Sequence, residues 1–132
     1  GSGYQAAVLA ELVSAVYTIE IVTLLAERAR QTLHDLGHDN CHVRAGDGYR
    51  GWPEHAPFDK IIITAAPDEV PRPLLEQLAP GGLLVVPEGE ERQTLSLYRR
   101  KLEDDARGRP QFERKPLAAV RFVPMTGEAE RD

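Results

Sequence analysis

The sequence predicts an α/β sandwich with a mostly parallel sheet and an antiparallel pair of strands at its C-terminal end. Two continuous apolar runs, residues 60–64 and 83–86, are typical of strands buried on both faces of a parallel sheet. Polar and apolar side chains alternate over residues 93–100, which indicates a half-exposed antiparallel strand. Helical apolar spacing separates the earlier strand candidates, so helices and strands alternate along the chain.

The order of the elements follows from hydrophobic periodicity and from the positions of Gly and Pro. Up to the turn at residues 46–48 we expect a helix over residues 4–13, a strand over 15–19 that ends at Glu20, a helix over 23–36 that stops at Gly37, and a strand over 41–45. Beyond it we expect a loop over 49–58, a central strand over 60–64, a short helix over 74–78 stopped by Pro80-Gly81-Gly82, strands over 83–86, 93–100 and 117–122, and an exposed connection over 104–116.

Length and composition predict one soluble domain. The chain has 132 residues, of which 42% are hydrophobic and 28% charged, and we assign residues 1–127 to the domain and 128–132 to a polar tail. No apolar run approaches the ~18 residues of a membrane span. The formal net charge of −5 argues against non-specific nucleic-acid binding. Cys41, the single cysteine, leaves no intrachain disulfide, which fits a cytoplasmic location.

Three features predict a nucleoside pocket at the carboxyl ends of the strands, where ligands of open α/β sheets bind. Gly1-Ser2-Gly3 forms a turn into the first helix, where backbone N–H groups and the absence of side chains favour a polar ligand. Glu20 could accept both hydroxyls of a ribose, and Asp47, followed by Gly48, could accept from an adenine amino group. Alone, Glu20 fits a solvated strand end equally well and Asp47 fits an ordinary turn better.

The residues themselves leave the kind of nucleoside open. The dinucleotide fingerprint also combines a glycine turn with an acidic residue ~20 positions further on. Ala6 stands where that fingerprint has its third glycine, and alanine is tolerated there. A Rossmann module that binds NAD is therefore the alternative from the residues alone.

Four stretches carry a resemblance that reaches from Gly1 to about Gly127: GSGYQAAVLAEL, GDGYRGWPEHAPFDKIIITAAP, LLEQLAPGGLLVVPEGEE and AVRFVPMTG. Together they resemble the protein-L-isoaspartate O-methyltransferase family, whose members use S-adenosyl-L-methionine. The first stretch occurs in many methyltransferases, whereas the second and the terminal RFVPMTG are specific to this family. The resemblance implies a Rossmann-like methyltransferase sandwich that acts on isoaspartyl-containing proteins and peptides.

The resemblance also implies a role for each matching residue. Gly1, Ser2, Gly3 and Gln5 would line the methionine part of the cofactor, Glu20 would hold the ribose, Asp47 and Gly48 would meet the adenine, Thr64, Ala65 and Ala66 would lie beneath the sulfonium near the substrate cleft, and Thr126 would close over the cofactor. The substrate's own α-carboxylate, ionised at pH 7 with a pKa of ~3.3–3.7, would be the nucleophile, so no general base is required.

The chain departs from the family pattern in two ways. The family has an N-terminal region and a first, middle strand before GSG, and that region carries the serine motif used in catalysis, so no catalytic residue can be assigned here. We therefore expect a truncated enzyme with an incomplete active site and exposed edges on the strands at residues 16–19 and 61–63. A non-catalytic cofactor-binding remnant is a further alternative. Glu88 stands where the family usually has a small apolar residue.

A metal site is not expected. His34 and His38 are spaced so that one helix face could hold both as ligands, and Cys41 and His42 follow. However, Gly37 is expected to end the helix between the two histidines, and histidines near a helix C-terminus are favoured by its dipole. We therefore interpret these side chains as structural and not as metal ligands.

Overall fold

The computed structural model describes residues 1–127, which divide into two compact units. The first unit comprises Gly1–Gly48 together with Gly127, and the second comprises Tyr49–Thr126. The predicted polar tail at residues 128–132 lies outside the described residues. Each unit has its own sheet, so the units are described separately.

The first unit is a β-α-β arrangement preceded by a short helix. Its elements are α1 (Tyr4–Ala10), β1 (Val16–Glu20), α2 (Thr23–Asp35) and β2 (Cys41–Ala45). The two strands pair in parallel, from Val16 opposite Cys41 to Glu20 opposite Ala45. Ala6, Val16 and Leu33 form the buried core, which joins both helices to β1. The parallel pairing brings Glu20 and the turn after β2 to the same end of this sheet.

The helix ends of this unit agree in part with the prediction. Gly37 has a φ of 78°, and the N–H of His38 donates to the carbonyl of Leu33 at 2.9 Å. This left-handed glycine ends α2 as the sequence predicted. The first helix, however, ends at Ala10 instead of residue 13, because the N–H groups of Glu11 and Leu12 turn to the carbonyls three residues back.

The second unit is built on a four-stranded sheet in the order β3-β4-β5-β6. Its elements are β3 (Phe58–Ile62), α3 (Arg72–Glu76), β4 (Leu78–Glu88), β5 (Gln93–Arg100) and β6 (Phe112–Val120), with a 3₁₀ turn at Pro53–His55. β3 and β4 are parallel, β5 pairs antiparallel with β4, and β6 pairs antiparallel with β5. The predicted antiparallel pair is therefore confirmed. Leu78, Leu84 and Val86, all on β4, are fully buried in this unit.

The sequence prediction around residues 74–82 is wrong in two respects. The helix lies earlier, at Arg72–Glu76, and the strand after it begins at Leu78 and passes through Pro80-Gly81-Gly82. Phe58 pairs with Leu78 but Lys60 pairs with Leu83, so residues 79–82 bulge out of the ladder. A β-bulge thus accommodates the proline and glycines that were expected to break the chain.

The first apolar strand is not central among the described residues. β3 runs from Phe58 to Ile62 instead of over residues 60–64, and it pairs only with β4 within residues 1–127. Ile62 is 45% exposed, so the expectation that all three isoleucines are buried is wrong. The strand has a partner on one side only, and β1 likewise pairs only with β2 in this part of the chain. Both strands therefore present an edge, as the sequence led us to expect.

The last strand was also misplaced. It covers Phe112–Val120 instead of residues 117–122, so part of the charged stretch at 104–116 is strand and not connection. Pairing with β5 from Gln93 to Arg100 overrides the polar composition, and the charged side chains of this stretch lie on the exposed part of β6. Charge alone marks a solvated face and does not distinguish a loop from an outer strand.

Candidate functional site

The glycine turn at the start of the chain packs directly on α2. Gly3 caps α1 with φ 85° and ψ 3°, and its carbonyl accepts the N–H of Ala7 at 2.9 Å. A Cβ built on Gly3 would lie 3.2 Å from the Cβ of Ala29 and 3.5 Å from a methyl group of Leu33. Only glycine combines this left-handed backbone with so close an approach. Ser2 accepts the N–H of Tyr4 at 3.3 Å, and the side chain of Gln5 is exposed.

Glu20 lies beside this turn, as the sequence predicted. Its Oε1 accepts a hydrogen bond from the Gly1 ammonium at 2.6 Å, and its Oε2 accepts the N–H of Ile21 at 2.8 Å. The carbonyl of Glu20 accepts the N–H of Gly46, which ties the end of β1 to the turn after β2. The carboxylate at the end of β1 is thus held in place as a hydrogen-bond acceptor, and an acceptor is what the two hydroxyl donors of a ribose require.

Asp47 lies after β2 in the same unit and is covered by the backbone of Gly127. A Cβ added to Gly127 would overlap the Asp47 carboxylate, so this side chain would have to move to accommodate it. The sequence analysis assigned a role to Asp47 but none to Gly127. Periodicity gives no signal for such a contact, because the two residues are separated by most of the chain.

Substituting alanine for Gly127 is expected to weaken binding of S-adenosylhomocysteine about tenfold. The added methyl group displaces the Asp47 carboxylate, and one hydrogen bond donated to a charged acceptor stabilises a complex by roughly 1.5 kcal/mol. Isothermal titration calorimetry of both proteins measures the change. Gly46→Ala serves as the control, since a Cβ there meets nothing closer than 3.6 Å. Equal affinity of Gly127→Ala and the parent chain would contradict this role.

The remaining predicted site residues lie in the second unit. Thr64 is exposed, Ala65 is half-buried and Ala66 is 4% exposed. Ala66 donates its N–H to the carbonyl of Val123 at 2.7 Å and accepts the N–H of Met125 at 2.8 Å. Its backbone groups are therefore engaged with the chain itself, whereas Thr64 and Ala65 remain accessible. Thr126 is exposed.

Glu88 takes part in a hydrogen-bonded cluster that sequence reasoning did not foresee. Its carboxylate accepts the Tyr98 hydroxyl at 2.8 Å and Arg114 Nε at 2.7 Å. Burial would raise the pKa of Glu88, but the hydrogen bonds from Arg114 and Tyr98 outweigh it and lower the pKa below its usual value. Burial and the bond to Glu88 raise the pKa of Tyr98 to about 12. Glu88 is therefore anionic and Tyr98 neutral at pH 7.

The histidine and cysteine side chains of the first unit do not assemble a metal centre. Within residues 1–127 no group of three or more His, Cys, Asp and Glu residues is arranged to hold a metal ion. His38 Nδ1 instead lies 3.8 Å from a Glu11 carboxylate oxygen, and burial raises the pKa of the Cys41 thiol. Over the same residues, no helix is both long enough and apolar enough to cross a membrane.

The β-α-β arrangement, with a glycine turn before α1 and a carboxylate at the end of β1, is that of the Rossmann-like α/β domains. A family model described as Protein-L-isoaspartate(D-aspartate) O-methyltransferase matches residues 1–130. The chain belongs to this family, and the resemblance seen in its motifs is confirmed.

Similar proteins come from several bacteria. The chain is 48% identical over its whole length to a protein-L-isoaspartate O-methyltransferase of Gloeobacter violaceus, of which it covers 62%. It is 51% identical over 96% of its length to protein-L-isoaspartate O-methyltransferase 2 of Syntrophobacter fumaroxidans, of which it covers 50%. The chain therefore spans about half to three-fifths of the length of these relatives.

Two solved structures are similar to this one. A protein-L-isoaspartate O-methyltransferase matches with a TM-score of 0.86 at 33% identity, over 96% of this chain and 40% of that one. A putative protein-L-isoaspartate O-methyltransferase from Plasmodium falciparum, in complex with S-adenosyl-L-homocysteine, matches with a TM-score of 0.64 at 25% identity, over 85% of this chain and 52% of that one. The Rossmann-like methyltransferase fold is thereby confirmed.

Proposed function

We propose that this chain belongs to an enzyme that transfers a methyl group from S-adenosyl-L-methionine to the α-carboxylate of L-isoaspartyl residues and so initiates their repair to aspartate. The observation that carries the proposal is the Glu20 carboxylate, held beside the glycine turn by two hydrogen bonds. The family and the S-adenosylhomocysteine in the Plasmodium relative support the choice of cofactor.

The residues of the first unit fit the nucleoside part of that cofactor. Glu20 would accept the two ribose hydroxyls, and Asp47, with the Gly48 backbone, would accept the adenine amino group. Gly1, Ser2, Gly3 and Gln5 would line the methionine part.

For the second unit, we keep the roles that the family pattern implies. Thr64, Ala65 and Ala66 would lie near the sulfonium and the substrate, and Thr126 would close over the cofactor. When bound, the cofactor supplies a methyl group on a positively charged sulfur. The chain's contribution is positioning and exclusion of water, because the α-carboxylate of the substrate is already ionised at pH 7.

We further propose that the enzyme is cytoplasmic and acts on proteins and peptides. Isoaspartyl-containing proteins and peptides are the substrates, and neither nucleic acid nor a membrane is a partner. The formal net charge of −5 supports the absence of a nucleic-acid partner, and the lone Cys41 is compatible with a cytoplasmic enzyme.

A methyl-transfer assay tests the activity. The chain is incubated with radiolabelled S-adenosylmethionine and a peptide that contains one L-isoaspartyl residue, and the same peptide with aspartate serves as the control. Base-labile label in the isoaspartyl peptide alone would show that this chain is sufficient for the methyl transfer. Cofactor binding without any label in either peptide would instead favour the non-catalytic remnant.

A further inference from the structure

We propose that Glu88 is a positioning residue for the substrate: it fixes residues 64–70, the segment after β3 that carries Thr64 and Ala65. This inference rests on the proposed function, since it concerns the substrate side of that same site. The family pattern usually has a small apolar residue at this position, and the structure supplies a reason for the charged one in this chain.

The segment is tied to the rest of the second unit at several points. Ala66 is held at both backbone groups by Val123 and Met125, and the carbonyl of Pro67 accepts the N–H of Gly89 at 3.0 Å. The N–H of Val70 donates to Oε2 of Glu88 at 3.3 Å. The hydrogen bond from Val70 to Glu88 uses a side-chain acceptor, whereas the other hydrogen bonds named here join backbone groups. A point substitution at Glu88 can therefore remove it.

The Glu88 carboxylate is itself fixed by donors from β5, which pairs with β4, and from β6, the next strand of the same sheet. Tyr98 on β5 donates its hydroxyl to both carboxylate oxygens, at 2.8 and 2.9 Å. Arg114 on β6 donates Nε to Oε1 at 2.7 Å and Nη2 to Ser96 Oγ at 3.0 Å, and Ser96 is fully buried. Three strands therefore orient one acceptor toward the Val70 N–H.

The negative charge of Glu88 is compensated within the hydrogen-bonded cluster. The side chain of Glu88 is only 12% exposed, and Arg114 balances its charge within the cluster. A small apolar residue here would leave the Tyr98 hydroxyl and the Val70 N–H without this acceptor, and unsatisfied polar groups away from water are costly. The cluster thus connects the sheet to the segment that would meet the substrate.

Two variants separate positioning from a general structural role. Glu88→Ala removes the acceptor, whereas Glu88→Gln keeps an amide oxygen that can accept from Val70 and Tyr98. Glu113→Gln is the matched control, because Glu113 lies on the same sheet and its side chain pairs with Arg99 at 3.4 Å. We measure amide hydrogen exchange over residues 64–70, and calorimetric affinities for S-adenosylhomocysteine and for an isoaspartyl peptide in its presence.

Glu88→Ala is expected to accelerate amide hydrogen exchange over residues 64–70 and to weaken binding of the isoaspartyl peptide about tenfold. Its affinity for S-adenosylhomocysteine is expected to stay within ~2-fold of the parent. Glu88→Gln is expected to recover most of the peptide affinity, and Glu113→Gln to leave all three measurements unchanged. A parent chain that binds no S-adenosylhomocysteine would refute the proposed function. If the parent binds both ligands, unchanged exchange or unchanged peptide affinity in Glu88→Ala would overturn this inference alone.

Discussion

Replacing Glu20 with alanine is expected to weaken binding of S-adenosylhomocysteine about 100-fold. The carboxylate would accept two hydroxyl groups of the ribose, and each hydrogen bond to a charged acceptor contributes roughly 1.5 kcal/mol, so the two together correspond to a factor of about 100 in affinity. Isothermal titration calorimetry measures the change directly. Glu20→Gln is expected to lie between the parent and the alanine variant, because its amide offers one acceptor oxygen instead of two.

The control for this experiment is Glu76→Ala. It removes the same charge from the chain, but Glu76 pairs with Arg72 on the exposed face of α3, at 3.1 Å. Its affinity for S-adenosylhomocysteine is expected to match that of the parent. Urea unfolding of each variant checks that the fold is retained. A Glu20→Ala protein that folds and binds with parental affinity would show that the strand-end carboxylate does not hold the ribose.

Replacing Gly3 with valine is expected to lower the free energy of unfolding by about 3 kcal/mol. A β-branched residue in the left-handed region costs ~1–3 kcal/mol, and overpacking against a well-packed neighbour costs ~1–3 kcal/mol more. Both terms apply here, since Gly3 has a φ of 85° and its Cβ would lie 3.2 Å from that of Ala29. Equilibrium urea unfolding measures the change.

Gly46→Ala is a matched control for the loss of a glycine in the same unit. Gly46 has no positive φ, and the nearest atoms to a Cβ there are at ordinary van der Waals distance. Its free energy of unfolding is expected to stay within ~0.5 kcal/mol of the parent. Equal stability of Gly3→Val and Gly46→Ala would mean that the turn at the start of α1 adapts, and the close packing of α1 on α2 would not be required.

Local sequence signals predicted the elements whose bounds depend on a few neighbouring residues. β2 and β5 have the predicted bounds. The glycine turn at residues 46–48 marked the end of β2, and the alternation of polar and apolar side chains marked β5. Gly37 marked the end of α2 correctly, since its left-handed backbone is a property of one residue. On the site, the same reasoning paired Glu20 with the glycine turn, because ligand-binding groups of open α/β sheets gather at the carboxyl ends of the strands.

Tertiary packing decided the features that the sequence did not reveal. The bulge at residues 79–82 and the strand character of residues 112–116 depend on pairing with β3 and β5, which no local pattern encodes. The exposure of Ile62 follows from the lack of a second strand partner among the described residues. The contacts of Glu88 and of Gly127 join residues far apart in the chain, so their roles became visible only in three dimensions.

The most direct test of the central claim is a calorimetric titration of this chain with S-adenosylhomocysteine, with NAD as the parallel ligand. We predict saturable binding of S-adenosylhomocysteine with a stoichiometry of one and no binding of NAD. Binding of NAD alone would contradict the account and identify a dinucleotide-binding module. Binding of neither ligand would also contradict it, because the Glu20 carboxylate and the glycine turn would then not suffice to hold the nucleoside in this polypeptide.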